Sequence, residues 1–304
     1  MPLELRHHLD RHAELDADGV TLLRYDYALA DDPVHSPRPF LHPLRSRGGD
    51  LLTGDRPTDH AWHRGLSLTS AHLSDFNFWG GPTFVRDRGY TRLSDHGRQR
   101  PLGWDAMQRT QATIRLAHRL AWEAPIDDTA DAEVILEESR ELVATAPPGA
   151  KWWRLNWRSE LRNTSDRTLE FGSPTTEGRD NAGYGGLFWR GPRDFAGGVL
   201  HTPDGQTDGD RMMGRPAAWL AYTGMHDGSL RATTLVFVDH PDNPRYPNRW
   251  FVRNTATPMV CFALAFGEIY PLPPGETLTL RYAIVIVDGA ADLDALASHA
   301  EAAR

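Results

Sequence analysis

The chain has 304 residues, 40% of them hydrophobic and 24% charged, with a net charge of −8; these proportions belong to a globular protein, not a disordered one. The acidic balance argues against a nucleic-acid partner, because no broad basic face would neutralise phosphates. Cys261 is the only cysteine, which excludes an intrachain disulfide, and no stretch approaches the roughly 20 apolar residues of a membrane helix.

The opening Met1-Pro2-Leu3-Glu4-Leu5-Arg6 lacks the apolar core of a signal peptide, so a cytoplasmic, non-membrane protein is expected. With 27 glycines and 22 prolines, many short elements joined by tight turns are predicted. Residues 20–25 are the first strand candidate. Residues 152–163 alternate apolar and polar side chains and end in the turn Asn163-Thr164-Ser165-Asp166, so a strand is predicted, with 168–173 returning as its hairpin partner. Residues 233–238 and 260–266 are continuous apolar runs suited to strands buried on both faces. Cys261 lies within the second run, where a thiol behaves as a small hydrophobe. After the turn Pro273-Pro274-Gly275-Glu276 comes a last strand at 278–287. Residues 290–304 place Leu293, Leu296 and Ala297 at helical spacing, which predicts a short terminal helix. No linker or repeat divides the chain, so the expectation is one mainly β domain over residues 1–304, a large antiparallel β-sandwich with few short helices.

Three polar clusters carry possible chemistry. The first holds His42 and Arg45, then Asp59-His60-Ala61-Trp62-His63-Arg64, then Asn77-Phe78-Trp79. His60 and His63, three apart, share one side of a turn, and imidazoles exchange protons near neutral pH. With a carboxylate the two histidines could also hold a divalent metal; capping the turn is an equal alternative. The second cluster spaces Glu177, Arg179 and Tyr184 among glycines, supplying a base, an anion clamp and a hydroxyl, or else a polar hairpin end. Trp189 follows it. The third is a proline-rich loop with His240 and Asn243, followed by Trp250. Aromatic rings suit the C–H face of a pyranose, although a tryptophan in a sandwich is more often core.

The ordered set Arg38-Pro39-Phe40-Leu41-His42-Pro43-Leu44, Asp59-His60-Ala61-Trp62-His63-Arg64-Gly65-Leu66, Asn77-Phe78-Trp79-Gly80, Gly183-Tyr184-Gly185-Gly186-Leu187-Phe188-Trp189-Arg190 and Trp250-Phe251-Val252-Arg253 resembles the PmoA-like (DUF6807) family over about residues 38–289. A second likeness lies in the ending from Tyr270 to Leu280, which is similar to the closing strand of aldose 1-epimerases and other galactose mutarotase-like supersandwich proteins. That likeness implies a histidine acid and a glutamate base acting on a sugar, with His60 or His63 as the acid and Glu268 or Glu177 as the base; the epimerase histidine motifs themselves are not reproduced. The expected ligand is a small carbohydrate, processed by epimerisation, glycoside cleavage or β-elimination, with no obligatory cofactor. His42, Arg45, Asp59, Arg64, Asn77, Trp79, Arg179, Tyr184, Trp189, His240 and Asn243 are the candidate binding residues. A non-catalytic carbohydrate-binding protein and a metal-assisted hydrolase or lyase using His60 and His63 are the alternatives. Oligomeric state is not legible.

Overall fold

The structure, a computed structural model, describes residues 3–28, 31–125 and 132–304. Two large antiparallel sheets dominate it. One has eight strands in the order Glu4–His8, His12–Ala17, Val20–Asp26, Phe40–Leu44, Leu66–Thr69, Gly186–Arg190, Met259–Phe262 and Trp250–Arg253. The other has nine: Gly205–Thr207, Val199–Thr202, Trp219–Met225, Ala232–Asp239, Thr277–Asp288, Trp152–Asn163, Ala132–Thr145, Thr113–Pro125 and Arg98–Arg109. The mainly β, antiparallel class expected from the sequence is what the chain adopts.

Period-2 alternation explains how the layers meet. In Trp152–Asn163 the residues Trp153, Leu155, Trp157 and Leu161 turn inward, while Arg154, Asn156 and Arg158 on the other face are only half-buried. Its neighbour Thr277–Asp288 sets Ile286, Ile284, Tyr282 and Leu278 opposite those four, and one core cluster runs through both large sheets. The opposite face of the nine-stranded sheet is covered at Trp219, Val236, Val238 and Val285 by the terminal helix Leu293–Glu301. Asp292 caps that helix, its Oδ1 accepting the Ala295 N–H at 2.9 Å. Its buried stripe is Leu296, Ala300 and Ala303; Leu293 and Ala297 face outward, a rotation of the stripe predicted from sequence.

Two other expectations are corrected. Residues 168–173 do not return along 152–163: Leu169–Gly172 joins a separate small sheet with Tyr270–Leu272 and His72–Leu73. Both edges of Trp152–Asn163 are already filled, by Ala132–Thr145 and Thr277–Asp288, so no donors remain for a hairpin partner. The Asn163 amide also steers the chain away, donating to Arg167 O and Leu272 O, each at 2.8 Å. The run 260–266 is strand only to Phe262; a turn closed by the Phe266 N–H to Ala263 O follows.

Between the sheets lies a buried polar network that sequence patterning did not indicate. Arg140 donates to both carboxylate oxygens of Glu138, at 2.7 and 2.8 Å, with both side chains fully buried. Glu138 also accepts from Trp122 Nε1 and Ser159 Oγ. Arg140 reaches Gln99 and Tyr25 as well, and the Tyr25 hydroxyl lies 2.7 Å from Nε2 of His118.

Candidate functional site

The face of the eight-stranded sheet turned away from the core carries the site. Along Gly186–Arg190 the core receives Leu187 and Trp189, while Phe188 points the other way; Val260 and Phe262 alternate with Met259 and Cys261, and Trp250 and Val252 with Phe251. The outward set joins Trp79 and Phe266 in a second apolar cluster, with Trp62 and Tyr184 packed against it. Above this floor is a cavity of about 310 Å³, within the roughly 300–1,000 Å³ range of small-molecule sites.

Its walls are aromatic and basic. Trp62, Trp79, Tyr90, Tyr184 and Phe251 supply rings; His60, His63, Arg179 and Arg253 supply the polar groups; Gly80, Pro82 and Met259 complete the lining. No aspartate or glutamate lines it among the described residues.

Two buried residues set the loops. Asn77 accepts the N–H groups of Trp79 and Gly80 on its Oδ1, both at 2.8 Å, and donates to Gly81 O and Thr83 Oγ1. Arg38 is buried and donates to Trp62 O at 2.9 Å and Trp79 O at 3.1 Å, tying the histidine turn to the tryptophan loop. Burial pulls the Arg38 guanidinium down to about 9.

His60 and His63 occupy the turn expected for them, joined by the His63 N–H to His60 O bond at 2.9 Å, with rings stacked 4.7 Å apart. Asp59 Oδ2 lies 3.1 Å from His60 Nδ1, at ion-pair distance but out of line for a formal hydrogen bond. Burial acts to raise the Asp59 carboxyl, yet backbone and His60 interactions outweigh it and its pKa is held below the ordinary value. His63 is buried with Nδ1 unpartnered among the described residues. Burial, then electrostatic repulsion of a second proton by His60 and by the guanidinium groups of Arg190, Arg38 and Arg253, pushes its pKa well below 6.5, so it is neutral at cellular pH. Tyr184 is pushed well above 10 by burial and by Tyr90, whose hydroxyl lies 2.9 Å from its own; Arg179 contacts that Tyr90 hydroxyl and its ring.

The other expected residues lie elsewhere. His42 is bonded to Thr53 Oγ1 at 2.9 Å. Arg45 closes a turn onto Gly49 O at 3.0 Å. Arg64 is engaged by Asp31 and Asp55 and stacks on Phe40. Trp189 is fully buried in the main core, its Nε1 donating to Leu52 O, and has no face for a ligand. Asn243 is buried, its Nδ2 donating to the Asp239 carboxylate and to Arg281 O and its Oδ1 accepting the Arg281 N–H, and Nδ1 of His240 accepts the Asp242 N–H. Glu177 sits on a turn closed by its N–H to Ser173 O, outside the cavity lining. Glu268 is exposed beside Arg245, in a different cleft of about 450 Å³. That cleft lacks histidine, and its Arg245 and Arg249 are spent on backbone carbonyls.

Sequence reading missed Trp62, Tyr90, Phe251 and Arg253 as lining residues. Trp62, Phe251 and Arg253 stood within recognised motifs; Tyr90, on the hairpin Thr83–Val85 with Gly89–Thr91, carried no signal. Metal-compatible spacing of three ligands occurs among the described residues at His8, His12 and Glu14, on the outer hairpin and not at His60 and His63. There Arg6 already engages Glu14 at 3.0 Å.

Residues 12–301 match the model of a family described as "Family of unknown function (DUF6807)". The chain belongs to this family. The match is wider than the 38–289 carried by the sequence motifs. No curated protein matches the DUF6807 chain. Among solved structures it is similar to a galactose mutarotase related enzyme from Lactobacillus acidophilus, at 8% identity and a TM-score of 0.33, covering 95% of this chain and 97% of that one. A protein provisionally described as an aldose 1-epimerase from Klebsiella pneumoniae is 10% identical, with a TM-score of 0.39 and coverage of 99% and 83%. The GH36 alpha-galactosidase AgaB from Geobacillus stearothermophilus is 11% identical, with a TM-score of 0.42; the match covers 94% of this chain but 41% of that enzyme. No helix among the described residues is long and apolar enough to cross a membrane.

Proposed function

We propose that the 310 Å³ cavity binds a small carbohydrate and that His60, oriented by Asp59, moves a proton on it. The observation that carries this reading is the stacked His60–His63 pair set into an aromatic wall, with a carboxylate 3.1 Å behind His60 Nδ1. A carboxylate on Nδ1 favours the tautomer that keeps the proton there and leaves Nε2 to exchange one with a hydroxyl or anomeric oxygen. Such contacts commonly straighten only when ligand is bound. Neutral His63 and the Tyr184 hydroxyl would bond ring hydroxyls, while Trp62, Trp79 and Phe251 offer apolar faces to sugar C–H groups. Asp59 orients His60 rather than acting on the sugar, and neither Glu177 nor Glu268, the residues foreseen as base, lines this cavity. Anomeric epimerisation begins with such a transfer from the hydroxyl. Glycoside cleavage would instead need Nε2 protonated to donate to the leaving oxygen, and β-elimination would need Nε2 to take a C–H proton.

A metal-assisted reaction at His60 and His63 is disfavoured by chemistry, because Arg38, Arg190 and Arg253 act on the same ground and oppose a cation. A binding-only role is favoured by one observation, the absence of any carboxylate from the cavity lining.

Proton NMR of the protein with aldoses, glycosides and 3-oxidised sugars separates the two. New product signals that disappear in His60→Ala support proton transfer. Saturation transfer to a sugar without product supports binding alone. Neither signal across the panel would sink the carbohydrate reading.

A further inference from the structure

The charge around this cavity runs against the charge of the molecule. The chain carries −8 overall, yet Arg179 and Arg253 line the cavity and no acidic residue does, among those described. Several arginines elsewhere find carboxylates, such as Arg140 with Glu138, Arg98 and Arg100 with Glu123, and Arg231 with Asp50. Arg179 and Arg253 make no ion pair among the described residues; one contacts the Tyr90 hydroxyl, the other lies over the Phe251 ring. Behind the histidine turn, Arg190 is buried with Nη1 lacking any hydrogen-bond partner. A buried guanidinium nitrogen left unbonded is costly, and native structures seldom leave one without a reason. Among the described residues the carboxylate acting on Arg190 is Asp59, and Asp31 and Asp55, which act on Arg38, are themselves held by Arg64. A low-dielectric aromatic wall bearing uncompensated positive charge focuses its field on whatever enters.

We infer that the ligand of this cavity is an acidic carbohydrate, with an anionic group held by the guanidinium groups of Arg179 and Arg253 and its ring against Trp62 and Trp79. The inference deepens the carbohydrate reading and rests on it. The shared chemistry is a delocalised oxyanion, for which the planar arginine fork is suited; it can come from a sugar carboxylate or a sugar phosphate.

The test is calorimetric or tryptophan-fluorescence titration of the full chain with four matched compounds, glucose, glucuronate, gluconate and glucose 6-phosphate, with benzoate as a non-sugar anion. The expected result is binding of at least one acidic sugar about tenfold or more tighter than glucose, weakened by added salt and by Arg179→Gln or Arg253→Gln. Arg211→Gln, far exposed beside Asp208, should bind as the unmodified chain does. Preference between the carboxylate and phosphate compounds identifies the source of the anion. Equal binding of glucose and glucuronate, indifferent to salt, overturns the anionic inference and leaves the carbohydrate reading standing. Binding of benzoate with no sugar leaves the anion site standing and removes the carbohydrate. No binding by any of the five overturns both.

Discussion

The imidazole of His63 lies stacked on that of His60, planes 29° apart, and edge-on to both Trp79 and Phe188. A proton on His63 would sit in an apolar pocket facing other positive groups, so burial first and charge second keep it neutral. His118 is in the same position in the core: burial and then Arg140 lower it to about 3. In the unfolded chain both would take up a proton near pH 6.5. The unfolded state then binds more protons than the folded one, so stability is full above that pH and falls as the pH drops below it. Each histidine should remove about 1.4 kcal/mol per pH unit until its own folded value is reached. Urea melts at pH 7.5 and 5.5 check this. His118→Gln should flatten the decline; an unchanged slope would disprove the assignment.

The Glu138–Arg140 pair yields a stability prediction of its own. Glu138→Gln leaves a buried guanidinium without its counter-charge, and about 3–5 kcal/mol of stability should be lost. Arg140→Met should cost a similar amount. The double variant should recover part of the loss, but not all, because Gln99 and Tyr25 each lose their Arg140 donor and Trp122 and Ser159 compete for the single amide oxygen that Glu138→Gln leaves. Denaturant midpoints of the four proteins form the cycle, and simple additivity would show that the pair is not coupled.

Gly81 tests the cavity wall. It has φ +70°, and an added Cβ would stand 2.4–2.7 Å from the Trp62 ring. Gly81→Ala therefore forces Trp62 to move and strains the backbone, costing about 2–4 kcal/mol. Ligand affinity should fall and the tryptophan emission shift. An unshifted spectrum with wild-type affinity would mean that Trp62 does not border the bound ligand.

Cys261 lies beneath the cavity floor, fully buried, with burial pushing its thiol up to about 12. A thiol reagent at pH 8 should label the native protein negligibly and the urea-unfolded protein stoichiometrically. Rapid native labelling, slowed by ligand, would show that the floor opens.

The strands at Trp152–Asn163 and Thr277–Asp288 were readable from sequence because most alternate residues are apolar and meet the core. The meander Arg98–Arg109, Thr113–Pro125 and Ala132–Thr145 was not. Its inward positions hold Gln99, His118, Glu138 and Arg140, and polar side chains at core positions erase the period on which strand recognition depends. The site divides in the same way. His60 and His63 are local partners in one turn, so their proximity follows from spacing. Their neighbours Tyr90, Phe251 and Arg253 arrive from distant strands, whereas Asp59 stands next to His60 in the sequence and in the same cluster, where it reads only as a binding residue. Trp189, one residue from Phe188 on the opposite face of the strand, shows how much a single step along a strand decides.

That single step has an evolutionary consequence. Because lining and core residues interleave on the same two strands, a change at Phe251 or Met259 alters the wall while Trp250, Val252 and Val260 hold the core side of the sheet. Ligand preference can therefore drift by point substitution within a constant scaffold. A one-residue insertion in either of these strands would swap wall for core and be eliminated. Families built this way should diverge in what they bind far faster than in strand length.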